Sequence, residues 1–305
     1  MNCEPRTANT GANPLRFFVV AGPTAVGKSD LAVEVAERLK TEIVGADAFQ
    51  IYQGFEILSG KPSPALQNRV KHHLVGILPV GERCDAVRYA ALARSTIKDL
   101  NRKGLAPLLV GGSGFYIESL LNPLPSLPPV DPELRVRLAQ QTLESLLVEL
   151  QQTDPEAFAR IDRHNRRRIE RAIEVIRTTG TPFSSYYRQN RPLTPGLLLN
   201  RPRPALHTRI DHRVRWMLEN GAIEEVASTV EIGPTARQMI GVKEIQRLLG
   251  EKISKEECIR LIQAATRQYA KRQITWFKRQ PMVPFDADHS ADEAAEFFKR
   301  HTEGW

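Results

Sequence analysis

Apolar and polar positions near the start of the chain follow a pattern that predicts a strand, a loop and a helix. The apolar run 17–21 is typical of a buried strand. After a loop that contains glycines, apolar residues recur at helical spacing at Leu31, Ala32, Val35, Ala36 and Leu39. Residues 42–46 and 105–110 predict two further strands, and 86–100 carry a helical stripe. This order predicts an α/β fold, in which helices cover a parallel sheet.

Two proline-rich stretches interrupt this pattern. Five prolines between 122 and 132 remove backbone donors and restrict the residues before them, so no regular element is expected there. Only helical patterns follow from 133 to 179, and the second stretch, 192–204, overlaps a strand predicted at 196–200. The expected domains are a first core segment at 1–120, a helical insertion at 121–195 and a second, mainly helical core segment at 196–305.

Composition places the chain among soluble globular proteins, because 41% of its 305 residues are hydrophobic and 26% are charged. No run approaches the roughly 18 apolar residues of a membrane span, and residues 1–16 lack the pattern of a secretory leader. Cys3, Cys84 and Cys258 are odd in number and far apart, which argues against a disulfide framework or a local zinc site. We expect a monomeric, cytoplasmic protein that does not bind a membrane.

Positive charge is concentrated in one segment. The formal net charge is +8, and residues 160–191 hold nine arginines, three acids and no lysine. Planar guanidinium groups in such excess favour bidentate contacts to phosphates. The alternative is a helix face on which arginines pair with neighbouring acids.

One motif carries a specific chemistry. Residues 22–29 match the pattern G-x-x-x-x-G-K-S/T between the predicted strand and helix, which is the context that this phosphate-binding loop requires. Backbone N–H groups of such a loop point at phosphate oxygens, Lys28 neutralises their charge, and the Ser29 hydroxyl can hold Mg²⁺. The motif predicts a site for two linked phosphates and leaves open whether they belong to a nucleotide.

The residues that follow two other predicted strands limit the classes of reaction that the site could catalyse. In hydrolytic nucleoside triphosphatases an apolar strand ends in an aspartate, whereas the strand at 105–110 ends in Gly111 and Gly112. The missing acid argues against an ATP-driven motor or switch. Asp47 follows the second strand beside the loop, where its carboxylate could accept a proton from a nucleophile. Its alternative role is to cap a turn or a helix.

Two pairs of residues each allow two interpretations. His72 and His73 project to opposite faces of an extended segment, which favours packing or hydrogen bonding over a metal site. Arg209 and Arg213 lie one turn apart on a predicted helix. They either clamp an anion together or pair with acids such as Asp211 and with solvent.

The segment 267–279 combines five basic residues and three aromatic residues without an acid. RNA binding is one interpretation, because exposed bases stack on aromatic rings while phosphates pair with cations. A core helix with one exposed basic side is the other.

Several separated motifs occur in the order found in one family. They are Gly22–Ser29, Ala46–Tyr52, Gly60–Pro62, His72–Leu74, Gly111–Tyr116, Arg167–Ala172, Ile240–Gly241 and Arg267–Phe277. Across residues 16–286 the chain resembles the bacterial tRNA dimethylallyltransferases. The resemblance implies a P-loop NTPase-like parallel sheet core with a helical insertion domain.

The resemblance also implies a reaction. Members of this family transfer a dimethylallyl group from dimethylallyl diphosphate to the exocyclic amine of the adenosine 3′ of the anticodon in tRNA. The loop would hold the diphosphate leaving group, with Mg²⁺ on Ser29 as cofactor, and Arg209 would stabilise the developing charge. Asp47 would act as general base, and Thr24 would place its hydroxyl near the diphosphate.

The family pattern divides the candidate residues between the two substrates. The diphosphate-binding set is Gly22, Thr24, Ala25, Val26, Gly27, Lys28, Ser29 and Arg213. The tRNA-binding set is Asp47, Ala48, Phe49, Gln50, Ser113, Arg167, Arg168, Ile169, Glu170, Arg171, Gln238 and Lys243. The insertion at 121–195 would bind the anticodon stem.

This chain departs from the family pattern at five positions. Ala48 and Phe49 replace a Ser-Met or similar pair, and Ser113 replaces a threonine while keeping the hydroxyl. Gly76 stands where an acid is common, and Val242 where an aromatic is common. These differences concern RNA contacts more than the chemistry. The lack of the zinc finger found at the C-terminus of eukaryotic relatives favours a bacterial enzyme.

Three other functions compete with this one. A small-molecule P-loop kinase would use the loop and Asp47 but not the arginine-rich insertion. An adenylate-type isopentenyltransferase, which acts on free adenine nucleotides, would share the core but lack a long RNA-binding insertion. A non-catalytic tRNA-binding protein would not need Asp47 beside an intact phosphate loop.

Overall fold

The computed structural model describes residues 15–122, 127–187 and 196–301. Its strands are β1 (Phe18–Ala21), β2 (Ile43–Gly45), β3 (His72–His73), β4 (Leu108–Gly111), β5 (Gly196–Asn200) and β6 (Val283–Asp286). They form one parallel sheet in the order β3-β2-β4-β1-β5-β6. The α/β class expected from the sequence is confirmed.

Helices account for most of the remaining described residues. They are α1 (Lys28–Leu39), α2 (Pro64–Arg69), α3 (Ala86–Arg102), α4 (Gly114–Leu121), α5 (Pro132–Ala139), α6 (Leu143–Thr153), α7 (Pro155–Arg160), α8 (Arg166–Thr179), α9 (Arg203–Glu219), α10 (Ala222–Ser228), α11 (Val242–Leu249), α12 (Lys255–Phe277) and α13 (Ala291–Arg300). Several of these helices begin at an N-cap side chain. At α3, for example, the Asp85 carboxylate accepts a hydrogen bond from the N–H of Arg88. No helix in the described ranges is both long and apolar enough to span a bilayer.

The central strands bring three loops to one edge of the sheet. All four residues of β1 are buried, as expected for a parallel strand covered on both faces. Leu108 of β4 pairs with Phe18 on one side and with Ile43 of β2 on the other. Because the three strands are parallel neighbours, the loops that follow them meet at the same carboxyl edge, where α/β proteins bind ligands.

Strands β3 and β6 form the two edges of the sheet, and the sequence pattern did not predict either of them. Strand β3 is only the pair His72–His73, and β6 contains Pro284, which has no N–H and is tolerated at an edge. The His72 ring is hydrogen-bonded to the carbonyl of Val70, and the His73 ring to the Glu42 carboxylate. The predicted hydrogen-bonding role of the two histidines is confirmed.

The chain divides into two compact units, Met1–Leu121 with Pro192–Trp305, and Asn122–Arg191. The expected bounds of the insertion were 121 and 195, and the prolines at 123–126 and 192–195 lie outside the described residues. The second unit contains α5 to α8. Its buried core is formed by Leu134, Leu138, Leu146, Leu150, Ala157, Ile169, Ala172 and Ile173.

Candidate active site

The phosphate-binding loop occupies the turn between β1 and α1, where its motif predicted it. Gly22 lies against β5, and a Cβ atom there would be 2.8 Å from the carbonyl oxygen of Leu199. Ala25 and Gly27 have φ angles of 63° and 109°, a backbone geometry that helps N–H groups converge on an anion. Ser29 follows in the first turn of α1. The loop is thus a preformed concave surface at a helix N-terminus.

The ammonium group of Lys28 lies beneath this loop. Its Nζ donates hydrogen bonds to the carbonyl oxygens of Gly22 at 3.0 Å and Pro23 at 2.8 Å. Burial lowers the pKa of Lys28 to about 8, an effect opposed by the Asp47 carboxylate and reinforced by the Arg213 guanidinium. A diphosphate in the loop would supply the negative charge that favours the protonated ammonium.

Asp47 follows β2 and caps the turn that comes after it. Its Oδ1 accepts hydrogen bonds from the N–H groups of Phe49 at 2.9 Å and Gln50 at 3.4 Å. The capping role considered from the sequence is therefore present. Burial lowers the pKa of Lys28 and that of Arg213, and the negative charge of the same carboxylate opposes both shifts. Capping uses Oδ1 only, so it is compatible with the predicted role of Asp47 as a base.

Helix α9 presents both of its candidate arginines to the loop. Arg209 donates from Nε to the carbonyl oxygen of Ala25 at 2.9 Å, and Arg213 from Nη1 to the hydroxyl of Thr24 at 3.3 Å. Asp211, a candidate partner for them, instead forms an ion pair with Arg267 of α12. Of the two interpretations, the structure supports a common site for the two arginines.

Gly60 makes room for one of these arginines. It has a φ angle of +63°, and a Cβ atom there would lie 1.5 Å from Nη2 of Arg213. No side chain can occupy that position while Arg213 keeps its place. Burial in this setting lowers the pKa of Arg213, and Asp47 opposes the shift. The Arg213 guanidinium therefore lies at the phosphate-binding loop, where its N–H groups are suited to an anionic ligand.

Arg201 is a third arginine at the loop, and the motifs in the sequence did not identify it. Its Nε donates to the carbonyl oxygen of Val26 at 3.0 Å, and its guanidinium forms a 2.7 Å ion pair with Asp288. Its side chain is 14% exposed, so it is held in one place. Arg201 could have been predicted as a site residue from the sequence, because it directly follows the predicted strand 196–200 at the carboxyl edge of the sheet.

The loop after β4 supports the turn that carries Asp47. The Ser113 hydroxyl accepts a hydrogen bond from the N–H of Ala48 at 3.0 Å, and its own N–H donates to the carbonyl oxygen of Ala46 at 3.2 Å. The side-chain amide of Gln50 donates to the carbonyl oxygen of Gly60 at 2.8 Å. Ser113 and Gln50, both predicted to contact RNA, thus also make contacts within the protein.

The aromatic residues of α12 contact the protein itself, although Tyr269 and Trp276 are only half-buried. Trp276 lies so close to Gly114 that a Cβ atom there would be 2.3 Å from its ring. Phe277 is fully buried, and Tyr269 interacts with Ser113 and Gln273. Among the two interpretations of segment 267–279, the core helix accounts for these rings. Its basic residues Lys271, Arg272, Lys278 and Arg279 are exposed.

The donor set at the loop fits Mg²⁺ bound together with a phosphate ligand. Mg²⁺ commonly keeps several waters and takes few protein oxygens besides those of the substrate. The described residues include no group of three His, Cys, Asp or Glu side chains suited to a metal ion. The hydroxyl of Ser29 is the protein ligand that the loop motif offers.

Comparison with known proteins assigns this chain to a family. A family model described as IPP transferase matches residues 50–280, and one described as Isopentenyl transferase matches residues 15–75. A tRNA dimethylallyltransferase of Akkermansia muciniphila is 39% identical over 282 residues, which cover 90% of this chain and 96% of that protein. This chain belongs to the tRNA dimethylallyltransferase family. A member from Halorhodospira halophila is 40% identical over 287 residues, covering 88% and 92%.

Solved structures of the family have the same fold. The tRNA isopentenylpyrophosphate transferase of Bacillus halodurans is 31% identical with a TM-score of 0.68, over 94% of this chain and 95% of that one. A eukaryotic dimethylallyltransferase acting on tRNA is 26% identical with a TM-score of 0.79, over 94% and 80%. The family recognised from the motifs and its P-loop NTPase-like core are both confirmed.

Helix α8 carries all three arginines that the family pattern assigns to RNA, which are Arg167, Arg168 and Arg171. Arg166 pairs with Glu170, and Arg171 with the buried Glu174. Ile169 is fully buried in the core of its unit, so its side chain does not belong to an RNA-binding surface. The helical spacing of the apolar residues 169, 172, 173 and 176 was the signal that could have identified it.

Acids outside the segment also reduce the excess of arginines. Arg177 pairs with Glu149, and Arg160 with Glu156. Counting only the three acids within residues 160–191 therefore underestimated how many of these arginines form ion pairs. Arg167 and Arg168 are exposed, and no carboxylate in the described ranges pairs with them. The arginines at 188 and 191 lie outside the described residues.

The segment around α11 combines surface and core positions. Gln238 and Lys243 are exposed, whereas Val242 is fully buried. The departure at Val242 therefore changes core packing rather than a contact surface.

Gly76 has a φ angle of +61°, and a Cβ atom there would lie 3.3 Å from the ammonium of Lys61. That ammonium pairs with Glu56 in this chain.

Proposed function

We propose that this chain transfers a dimethylallyl group from dimethylallyl diphosphate to the exocyclic amine of the adenosine 3′ of the anticodon in tRNA. The observation that carries the proposal is a single edge of the sheet with a phosphate-binding loop, three cationic side chains and one carboxylate. The cations are Lys28, Arg209 and Arg213, and the carboxylate is Asp47.

The loop and its cations act on the leaving group. As the carbon–oxygen bond of the donor breaks, negative charge grows on the departing diphosphate. Loop N–H groups and Lys28 stabilise this charge, together with Arg209 and Arg213, which the carbonyl of Ala25 and the hydroxyl of Thr24 hold in place. No water has to be positioned at phosphorus, which explains why the strand β4 ends in glycines.

Asp47 acts on the acceptor. The lone pair of an adenine amine is delocalised, so the amine is a poor nucleophile until a base removes a proton. Oδ1 is committed to the amides of Phe49 and Gln50, which leaves Oδ2 to accept that proton as the new carbon–nitrogen bond forms. The products are prenylated adenosine, a protonated carboxyl group and free diphosphate.

Mg²⁺ would be held by the hydroxyl of Ser29 and oxygens of the diphosphate. When bound, it supplies positive charge to the leaving group. The reaction would take place in the cytoplasm, where tRNA is available, and the enzyme would act as a monomer.

The acceptor adenosine belongs to a single-stranded loop, so it can be extruded at the cost of about a few kcal/mol of stacking. Around the base, we assign contacts to residues 47–50 and Ser113, and to Gln238 and Lys243. Along the backbone of the anticodon stem, we assign contacts to the exposed guanidinium groups of Arg167 and Arg168.

The test is direct. Purified protein, Mg²⁺, dimethylallyl diphosphate and unmodified tRNA are incubated, and the tRNA is digested to nucleosides for mass spectrometry. We expect isopentenyl-adenosine at one position per tRNA. Parallel reactions replace tRNA with AMP, ADP or ATP as acceptors, and replace the prenyl donor with ATP.

Two results would refute the proposal and favour the competing functions. Prenylated AMP with unmodified tRNA would identify an adenylate-type isopentenyltransferase. Transfer of the terminal phosphoryl group of ATP to a small acceptor, with the prenyl donor ignored, would identify a kinase.

A further inference from the structure

One side chain joins the two loops of the active site. The amide of Gln273, on α12, accepts a hydrogen bond from the N–H of Thr24 at 2.9 Å through Oε1. Through Nε2 it donates to the carbonyl oxygen of Gly112, also at 2.9 Å. Gln273 is 6% exposed, so both bonds are shielded from water. These contacts span 249 and 161 positions of sequence.

The neighbouring turns of α12 contact the same region. Tyr269, one turn before Gln273, interacts with the hydroxyl of Ser113. Trp276, almost one turn after it, packs on Gly114. The helix therefore contacts the loop after β4 at three successive turns, and Gln273 also reaches the phosphate-binding loop.

The two loops hold different reactants. Thr24 belongs to the loop for the diphosphate, and its hydroxyl contacts Arg213. Ser113 lies directly after Gly112 and accepts the N–H of Ala48, the residue next to Asp47. The separation between the loops therefore sets the separation between the carbon that is attacked and the base that activates the attacking amine.

We propose that Gln273 is a positioning residue that fixes the distance between the donor loop and the acceptor loop for prenyl transfer. The inference rests on the proposed function. Gln273 acts through the backbone of Thr24 and Gly112, to which it presents one acceptor and one donor at a fixed spacing.

The backbone at Gly112 leaves little tolerance for another arrangement. A Cβ atom at Gly112 would lie 2.3 Å from Nε2 of Gln273, so the side chain from the helix lies directly against the backbone of the loop. A carboxylate in place of the amide would put two acceptor oxygens against each other at Gly112. A protonated carboxyl group would restore the pattern, because its O–H donates and its C=O accepts.

The first test replaces the amide with an apolar side chain of similar length. In Gln273→Met we expect kcat for prenyl transfer to tRNA to fall about 30-fold, since a shift of about 1 Å in the reacting groups costs up to about 100-fold. The KM values for both substrates should change less than about threefold, because the groups assigned to their binding remain. Gln268→Met, at an exposed position of the same helix, is the matched control and should retain full turnover.

The second test separates positioning from simple packing. In Gln273→Glu, burial raises the pKa of the introduced carboxyl group, so its protonated fraction grows as pH falls. The ratio of its kcat to that of the wild type should therefore rise about tenfold between pH 8.5 and pH 6. Ionisations that the two enzymes share, such as that of Lys28, cancel in the ratio.

The outcomes distinguish this inference from the proposed function. If the wild type does not prenylate tRNA, the proposed function fails. If the wild type is active, the inference is overturned by a Gln273→Met enzyme with kcat within twofold of wild type, or by a loss that appears only in donor KM. If that variant does not fold, a pH-independent ratio for Gln273→Glu overturns the inference, and a rising ratio supports it.

Discussion

The Asp47 carboxylate has an observed structural role, and we propose a chemical role for the same side chain. Oδ1 holds the turn after β2 through the N–H groups of Phe49 and Gln50. Its negative charge opposes the lowering of the pKa that burial causes at Lys28 and Arg213. An amide in its place would keep the oxygen that caps the turn but would lose the charge and the ability to accept a proton.

We therefore predict that Asp47→Asn lowers kcat by about 10²- to 10⁴-fold, the usual contribution of a general base, while the turn remains formed. The dissociation constant for tRNA should change less than about twofold, because phosphate contacts dominate RNA affinity. Single-turnover kinetics at saturating tRNA measure the first quantity, and filter binding measures the second.

The matched control is Asp85→Asn, which makes the same substitution at the cap of α3. It should leave turnover unchanged. An Asp47→Asn enzyme that keeps full turnover would contradict the assignment of Asp47 as base.

Helices α9 and α12 bring the distant side chains into the site. On α9, Arg209 and Arg213 are four residues apart, so they share a face and reach the loop together. The Arg213 side chain occupies space that Gly60, in the loop before α2, leaves open because it has no side chain. The position of Arg213 therefore depends on a residue far from α9 in the sequence.

Gly60→Ala should displace the Arg213 guanidinium, because the added Cβ would lie 1.5 Å from Nη2. We expect kcat/KM for dimethylallyl diphosphate to fall about 100-fold, comparable to the loss of one preorganised donor to a developing anion. Steady-state kinetics with the donor varied at saturating tRNA measure the effect.

Gly54→Ala controls for backbone strain. Gly54 has a φ angle of +80°, and a Cβ atom added there would meet no atom of the described residues within 4 Å beyond its chain neighbours. Both variants carry an alanine with positive φ, which costs about 1 to 3 kcal/mol. Equal losses of activity in the two variants would show that strain, and not Arg213, is responsible.

Over the whole molecule, the excess of positive charge is +8. Much of the arginine-rich segment is neutralised locally, as at Arg171 and Glu174 or Arg177 and Glu149. On α8, Arg167 and Arg168 remain exposed. A polyanion such as tRNA would find accessible guanidinium groups there, so this helix is where the salt dependence of binding should originate.

Replacing both residues in Arg167→Gln/Arg168→Gln should weaken tRNA binding and reduce the slope of log K against log salt concentration by about 2, one for each lost phosphate contact. Turnover at saturating tRNA should stay near that of the wild type, because neither residue takes part in the chemistry. Titrations at several salt concentrations measure the slope.

Arg177→Gln, on the same helix, is the control because Glu149 already pairs with Arg177. Its slope should differ little from that of the wild type. A double variant with an unchanged slope would remove α8 from the RNA-binding surface.

Local sequence was sufficient where the relevant residues are close together in the chain. The phosphate-binding loop lies within eight consecutive residues, and its flanking strand and helix follow from short apolar patterns. Asp47 was identified because the end of a strand in a parallel sheet is a known place for ligand-binding groups. The edge strands β3 and β6 were not predicted, since a short strand with one neighbour needs no continuous apolar run.

The α/β class and the P-loop motif followed from the sequence alone, because each depends on residues only a few positions apart. For Arg209 and Arg213 the sequence left two interpretations open, and their contacts with the loop were needed to choose between them. Three features became visible only in the folded chain: Gln273 joins Thr24 to Gly112, Arg201 pairs with Asp288 beside the loop, and Trp276 of α12 packs on Gly114. Side-chain hydrogen bonds and close packing carry no periodic signal, and they form only when the sheet has placed distant segments side by side.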